Sequence, residues 1–419
     1  MAIATPLDED FSPPLVRRRF LSDCSWAAAT LCIPPVFSAD AATIPAPGGR
    51  WIREQIHRGN DPLSGSQILQ LTSAAAISHD IYGEQLYCSA DGNRIAFLRC
   101  ATTDHRDGPQ ELFVADIKQR GVKRMGKAPF FFVGGNGRED TLFYVRENEE
   151  NGDITITRLN FSTLEQEDVF TFGECPIPEH RGLLAVSPDQ RWCMILRKLG
   201  ERSYGIERID LEKKTWGLIH ENDDIFNGHL QFNPAGGELM VQHNRGGLLT
   251  DDFQVVRSVG PEGATLYVID QDGENVRPLP IGKPHTTPVT GHECWVGKTG
   301  RLLLTTHGGK IYLAEPGVEK ATLIGMGAGF MHISASPDGK FFVVDSIGTG
   351  RLFIGCIATK KVLPLCDSGT SGGSPQYTHS HPYITPGNRH VIYNSDRTGI
   401  AQVYAARIPE GFLGQLEEE

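Results

Sequence analysis

An all-β, seven-bladed β-propeller is the fold this sequence predicts. Three observations carry it: a turn-plus-strand unit occurs seven times, its copies lie about 40 to 60 residues apart, and no long helix-forming run interrupts them. Among 419 residues there are 47 glycines and 26 prolines, a composition suited to many short strands joined by turns. A chain this long is too large for one conventional core, whereas a repeat architecture absorbs it in a single ring.

The seven units follow in order. Ser89-Ala90-Asp91-Gly92 precedes the apolar run 94–99, and Gly134-Gly135-Asn136-Gly137 precedes a run containing Leu142-Phe143-Tyr144-Val145. Ser187-Pro188-Asp189-Gln190 leads into 191–196, and Asn233-Pro234-Ala235-Gly236 into 238–241. Gly297-Lys298-Thr299-Gly300 leads into 301–306, Ser336-Pro337-Asp338-Gly339 into 340–345, and Thr385-Pro386-Gly387-Asn388 into 389–394. Pro and Asp preset each turn, Gly or Asn accepts positive φ, and the β-branched and aromatic residues that follow form a strand. Further strands are expected at 208–211, 266–270 and 402–407. One such blade cannot bury both faces, so blades stack around an axis. Closing the ring calls for one more strand, expected from 67–71, in the last blade.

The N-terminus reads as an export signal over 1–41, with the propeller over 42–419. Arg17-Arg18-Arg19-Phe20-Leu21 precedes an apolar run, 24–37, that ends in Ala39-Asp40-Ala41. The paired arginines look like the twin-arginine type, which carries folded proteins to a periplasmic or secreted location. With the leader removed, no segment is expected to hold the chain at a membrane. The formal charge of -11, without a basic stripe, argues against nucleic acid as a partner. An acidic ligand would need a local cation or arginines. The oligomeric state is left open. Nine cysteines, Cys24 and Cys32 of them in the leader, lack metal-type spacing. Cys88 with Cys100 and Cys356 with Cys366 are possible pairs, but buried apolar filling is the expected role.

The chemistry gathers near the C-terminus. Gln376-Tyr377-Thr378-His379-Ser380-His381 puts three metal-capable side chains within six residues. If that stretch is extended, alternation sends His379 and His381 to the same side. Residues just before each turn belong to the channel-facing strand. His332 lies four residues before Ser336, and His381 four before Thr385, so the two imidazoles are expected to meet at the axis. His292, in Gly291-His292-Glu293-Cys294-Trp295, precedes its own turn by a similar distance. Exposed loop histidines are the plainer alternative.

The series Gly291-His292-Glu293 with Trp295, then His332 before Ser336-Pro337-Asp338-Gly339, then Gln376, His379, His381 and Pro382 resembles oligogalacturonate lyase. So does Asn394-Ser395-Asp396-Arg397-Thr398-Gly399 leading to Gln402-Val403-Tyr404. The resemblance spans about residues 60 to 410 and implies a seven-bladed propeller that cleaves short pectin fragments by β-elimination. It implies a manganese site, with another divalent first-row ion as the alternative, from His332, Gln376, His379 and His381. It also implies a general base in His292 and an arginine near the reacting carbon. Arg257 is the favoured arginine, although residues 258–264 are an insertion after it. Arg245 is its rival in His243-Asn244-Arg245-Gly246, where the family usually has H-E-G-P, and the leader is a further departure. His243 and Trp295 are candidate substrate contacts.

A uronate C5 proton is weakly acidic because its carboxylate is already negative, and a divalent cation on that carboxylate offsets the charge. Imidazole and amide donors are neutral and leave the ion its full charge. Three other readings compete. A non-catalytic periplasmic propeller of the TolB type explains the repeat but not the placement of the histidines. A lyase acting on another uronate oligosaccharide shares the mechanism. A hydrolase would need paired carboxylates such as Asp251-Asp252, or Glu221 with Asp223 and Asp224, which read better as solvated loops. Phe130-Phe131-Phe132-Val133 reads as a buried strand, and Trp51, Trp192 and Trp216 as packing between blades.

Overall fold

The computed structural model describes residues 49–101, 110–128, 133–147, 153–172, 180–200, 202–250, 255–373 and 375–418. The leader 1–41, Phe130-Phe131-Phe132 and Asp251-Asp252 fall outside the described residues. Seven antiparallel sheets follow one another along the chain as seven blades. The sixth shows the plan: Phe330–Ala335 is innermost, then Phe341–Ser346, Arg351–Cys356 and Val362–Asp367 pair outward in order. The fifth repeats it with Val289–Trp295, Leu302–Thr306, Lys310–Ala314 and Thr322–Met326. In the fourth, a small hairpin of Leu248–Leu249 and Val255–Arg257 is inserted between Glu238–His243 and Thr265–Asp270.

The repeated turns work through side-chain oxygens. Ser336 Oγ donates to Asp338 Oδ1 at 2.5 Å and accepts the Phe341 amide at 2.9 Å, while Gly339 takes φ +72°. Ser89 and Asp91 do the same at 2.6 Å. Ser and Asp thus supply the partners that a tight reversal removes from the ladder.

Ring closure uses the expected strand and, outside it, a second one, Ile56–Asn60, that the sequence did not announce. Gln67–Gln70 pairs with Gln402–Arg407, with Ile68 opposite Ala406 and Gln70 opposite Tyr404. Thr72 Oγ1 donates to Gln402 Oε1 at 2.5 Å and accepts the Val403 amide at 3.0 Å. Seven separate apolar cores lie one between each neighbouring pair of blades. The core joining the last blade to the first contains Leu69, Cys88, Phe97, Tyr383 and Val403. A full circle of such interfaces covers both faces of every blade, which is how a propeller buries its sheets.

The six described cysteines, Cys88, Cys100, Cys193, Cys294, Cys356 and Cys366, are free and buried, so the two possible pairs do not form. Trp192 packs on the core between blades three and four, with Arg191 and Arg208 over its ring. Trp51 packs between blades one and two. Trp216 is 41 % exposed, meeting Phe172 edge-on.

Candidate metal centre

Three consecutive blades irregularly begin their innermost strands, and each irregularity delivers an imidazole. In blade five the register with the next strand shifts between Val289 and Glu293, and Gly291 takes φ +86°. A Cβ there would meet Gln242 Oε1 at 3.1 Å, so glycine is what lets His292 turn inward. In blade six the shift falls between Phe330 and Ile333 and frees the His332 amide from the ladder. Asp345 takes up that amide at 2.8 Å with Oδ1 and the His332 Nδ1–H at 2.6 Å with Oδ2. One buried carboxylate thereby fixes the tautomer and presents Nε2.

Before blade seven the chain does not run extended as alternation suggests. Gln376–Thr378 is a short 3-10 turn, His379 is extended, and His381 adopts φ +40°. The reason is tertiary. Asn394 donates its amide to Ser380 O at 2.8 Å, and the chain at Gly83 runs so close to the His381 carbonyl that a Cβ would stand 2.9 Å from it. His379 and His381 still face a common point. His379 Nε2 lies 2.9 Å from Gly373 O, which puts the proton on Nε2 and the lone pair on Nδ1.

The ligand atoms of His332, His379 and His381 lie within 4.8 Å of one another. The ring centroids of His332 stand 4.4 Å from those of His381 and 5.1 Å from those of His379. His292 lies 4.2 Å from His332 by the same measure. Nε2 of His332 is buried with no hydrogen-bond partner among the described residues, an arrangement that is costly unless a ligand occupies it. Burial, helped by the neighbouring His332, pulls His292 down to a pKa of about 3, so its imidazole is neutral near pH 7.

The remaining predicted residues stand elsewhere. Gln376 is exposed at the start of its turn. Arg245 spends its guanidinium on the carbonyls of Gly263, Lys283 and Glu262. Arg257 is exposed and donates Nε to Gly246 O at 2.7 Å. Both belong to the blade-four insertion, which leaves from the same face of the ring as the histidine-bearing loops. His243 packs edge-on against Tyr267 beside Asp224. Trp295 is buried, and its indole N–H donates to Gln231 O at 3.0 Å, so it serves packing.

Other residues join the site without having been singled out. Tyr82 stacks on His381 at 4.5 Å, and its hydroxyl is 3.3 Å from His292 Nδ1. Nδ1 of His229 stands 3.1 Å from Oε1 of Glu84 and 3.1 Å from Oε1 of Glu293, and Glu84 Oε1 is 3.8 Å from His292 Nδ1. His229 lies four residues before Asn233, the same offset that marked His332 and His381, so that rule extended to blade four finds it.

No family model matches the chain. It is 22% identical over 405 residues to an oligogalacturonate lyase of Dickeya dadantii (strain 3937), spanning 86% of this chain and 98% of that protein. An oligogalacturonide lyase of Pectobacterium atrosepticum is 23% identical over 409 residues, with the same shares. The resemblance to oligogalacturonate lyases runs along the chain. Among solved structures, an oligogalacturonate lyase in complex with manganese superposes with a TM-score of 0.67 at 20% identity, covering 87% of this chain and 99% of that one. An oligogalacturonate lyase from Vibrio parahaemolyticus gives 0.65 at 19%, with the same shares. These superpositions share the seven-bladed ring described above.

Proposed function

We propose that the chain is a divalent-cation-dependent lyase that cleaves short oligogalacturonates by β-elimination. The observation that carries this reading is the convergence of His332, His379 and His381 beside a fourth buried imidazole, His292. The donor set fits a first-row cation: three neutral imidazoles, one with a buried and otherwise unmatched Nε2. Manganese, bound by a solved relative, is the ion proposed; Gln376, exposed at the start of the adjoining turn, would have to rotate inward to add an oxygen donor. Bound there, the ion would neutralise a uronate carboxylate and lower the cost of the charge that forms as the C5 proton leaves.

The chain's own residues supply the rest. His292 is neutral and can accept the C5 proton. Tyr82 and Glu84 both face its Nδ1, which leaves Nε2 toward the substrate. An imidazole with so low a pKa is a weak base by itself. The Tyr82 hydroxyl, 3.3 Å from Nδ1, can accept a hydrogen bond from it and so steady the positive charge that grows on the ring during transfer. Arg257, exposed on the rim, is proposed to hold a substrate carboxylate. It is favoured over Arg245, whose donors are committed to backbone carbonyls.

The test is the rise in ultraviolet absorbance of an unsaturated uronide when the purified chain is given digalacturonate. Activity is expected with manganese and none after chelation; a flat trace under both conditions, with the metal bound, sinks the proposal. Asp345→Asn is expected to weaken the cation about 10- to 100-fold, because the carboxylate that orients His332 and raises its basicity is gone. A metal titration of the chelated protein reads this, and unchanged affinity would remove Asp345 from the site. The arginine pair, apolar run and Ala39-Asp40-Ala41 support the further proposal that the chain is exported.

A further inference from the structure

Glu84, His229 and Glu293 reach the axis from three different blades, yet all three are sequestered. The side chain of Glu84 is 5% exposed, that of Glu293 0%, and that of His229 14%. Their partners do not balance the charge. Among the described residues, both carboxylates pair with imidazoles and neither with a lysine or arginine. Gln231 donates to Glu84 Oε2 at 3.2 Å but brings no charge. Glu293 Oε2 is buried with no hydrogen-bond partner among the described residues. Two carboxylates and one imidazolium leave a net negative charge in a buried place, which is expensive.

We propose that Glu84, His229 and Glu293 form a second site for a divalent cation, separate from the histidine centre. A doubly charged ion beside a neutral imidazole cancels the two carboxylates, and bidentate binding by Glu293 would give its bare Oε2 a partner. The spacing suits it: His229 Nδ1 is 3.1 Å from each carboxylate oxygen, the edge expected between adjacent ligands on an ion with bonds of about 2.2 Å. Two carboxylate oxygens and one imidazole nitrogen are donors that take first-row divalent ions, manganese among them. Glu84 also lines a cavity together with Gln231 and Ser334.

The two sites share no ligand, so ion counting separates them. The probe is manganese added to the chelated full-length chain, followed by removal of free ion and elemental analysis. Two ions are expected for the unaltered chain, one for His332→Ala and one for Glu293→Gln, and manganese should still raise the melting temperature of His332→Ala. One ion for the unaltered chain and none for His332→Ala would overturn the second site and leave the first intact. One ion for the unaltered chain, kept in His332→Ala and lost in Glu293→Gln, would support the second site and remove the first. Should Glu293→Gln fail to fold, the counts for the unaltered chain and His332→Ala decide the matter alone.

Discussion

His292→Ala is expected to lower the rate of elimination by about 10²- to 10⁴-fold while the histidine centre keeps its cation. The separation of effects follows from geometry. His292 stands next to His332, with ring centroids 4.2 Å apart, but its Nδ1 faces Tyr82 and Glu84, and it is not one of the three imidazoles whose ligand atoms converge. Removing it deletes the proton acceptor and leaves the ion's donors and Asp345 in place. The comparison to make is metal content beside turnover on digalacturonate. Full activity in the substituted chain would mean that another group takes the proton. Loss of the ion together with activity would mean that His292 is a ligand, and the roles would have to be redrawn.

His332→Ala and His381→Ala are expected to empty the histidine centre and with it to remove most of the activity. Lewis-acid stabilisation of a developing charge is worth several kcal/mol, about 10³-fold or more in rate. Both side chains are 2% exposed and come from different blades, so neither is replaceable by a neighbour on the same strand. Elemental analysis and the absorbance assay read the two consequences. Full occupancy of this centre in either variant would break the ligand assignment. His332→Ala also strands the Asp345 carboxylate without its imidazole, so a drop in melting temperature should accompany the loss of metal.

Much of this architecture was legible in the residues. Ser-Pro-Asp-Gly and its variants announce their turns because the side chains that make the turn are the ones written there. The closing strand at Gln67–Gln70 was visible because the last repeat lacked an outer strand. The fixed distance between histidine and turn worked for His332 and His381, each of which stands four residues before its turn. It would have worked for His229. What could not be read was everything settled by contacts between blades. Alternation predicted an extended run at His379 and His381, but a neighbouring backbone at Gly83 and the Ser380–Asn394 bond bend it into a 3-10 turn and a left-handed residue. Positive φ at a non-glycine costs about 1–3 kcal/mol and persists only where surroundings enforce it. Glu84 and Asp345 had no motif to mark them, because their partners lie in other blades or on the adjacent strand.

The last blade is sewn from both ends of the described chain, with Thr72 bonded to Gln402 330 residues away. On the ribosome, the early strand must wait with its edge open until nearly the whole polypeptide has emerged. Two of the three converging imidazoles, His379 and His381, ride on that final wedge. If the histidine centre takes its proposed ion, capture of that ion and fastening of the circle are coupled, each pulling the other forward. A nascent chain that stops short of the last wedge has neither a sealed ring nor a metal pocket.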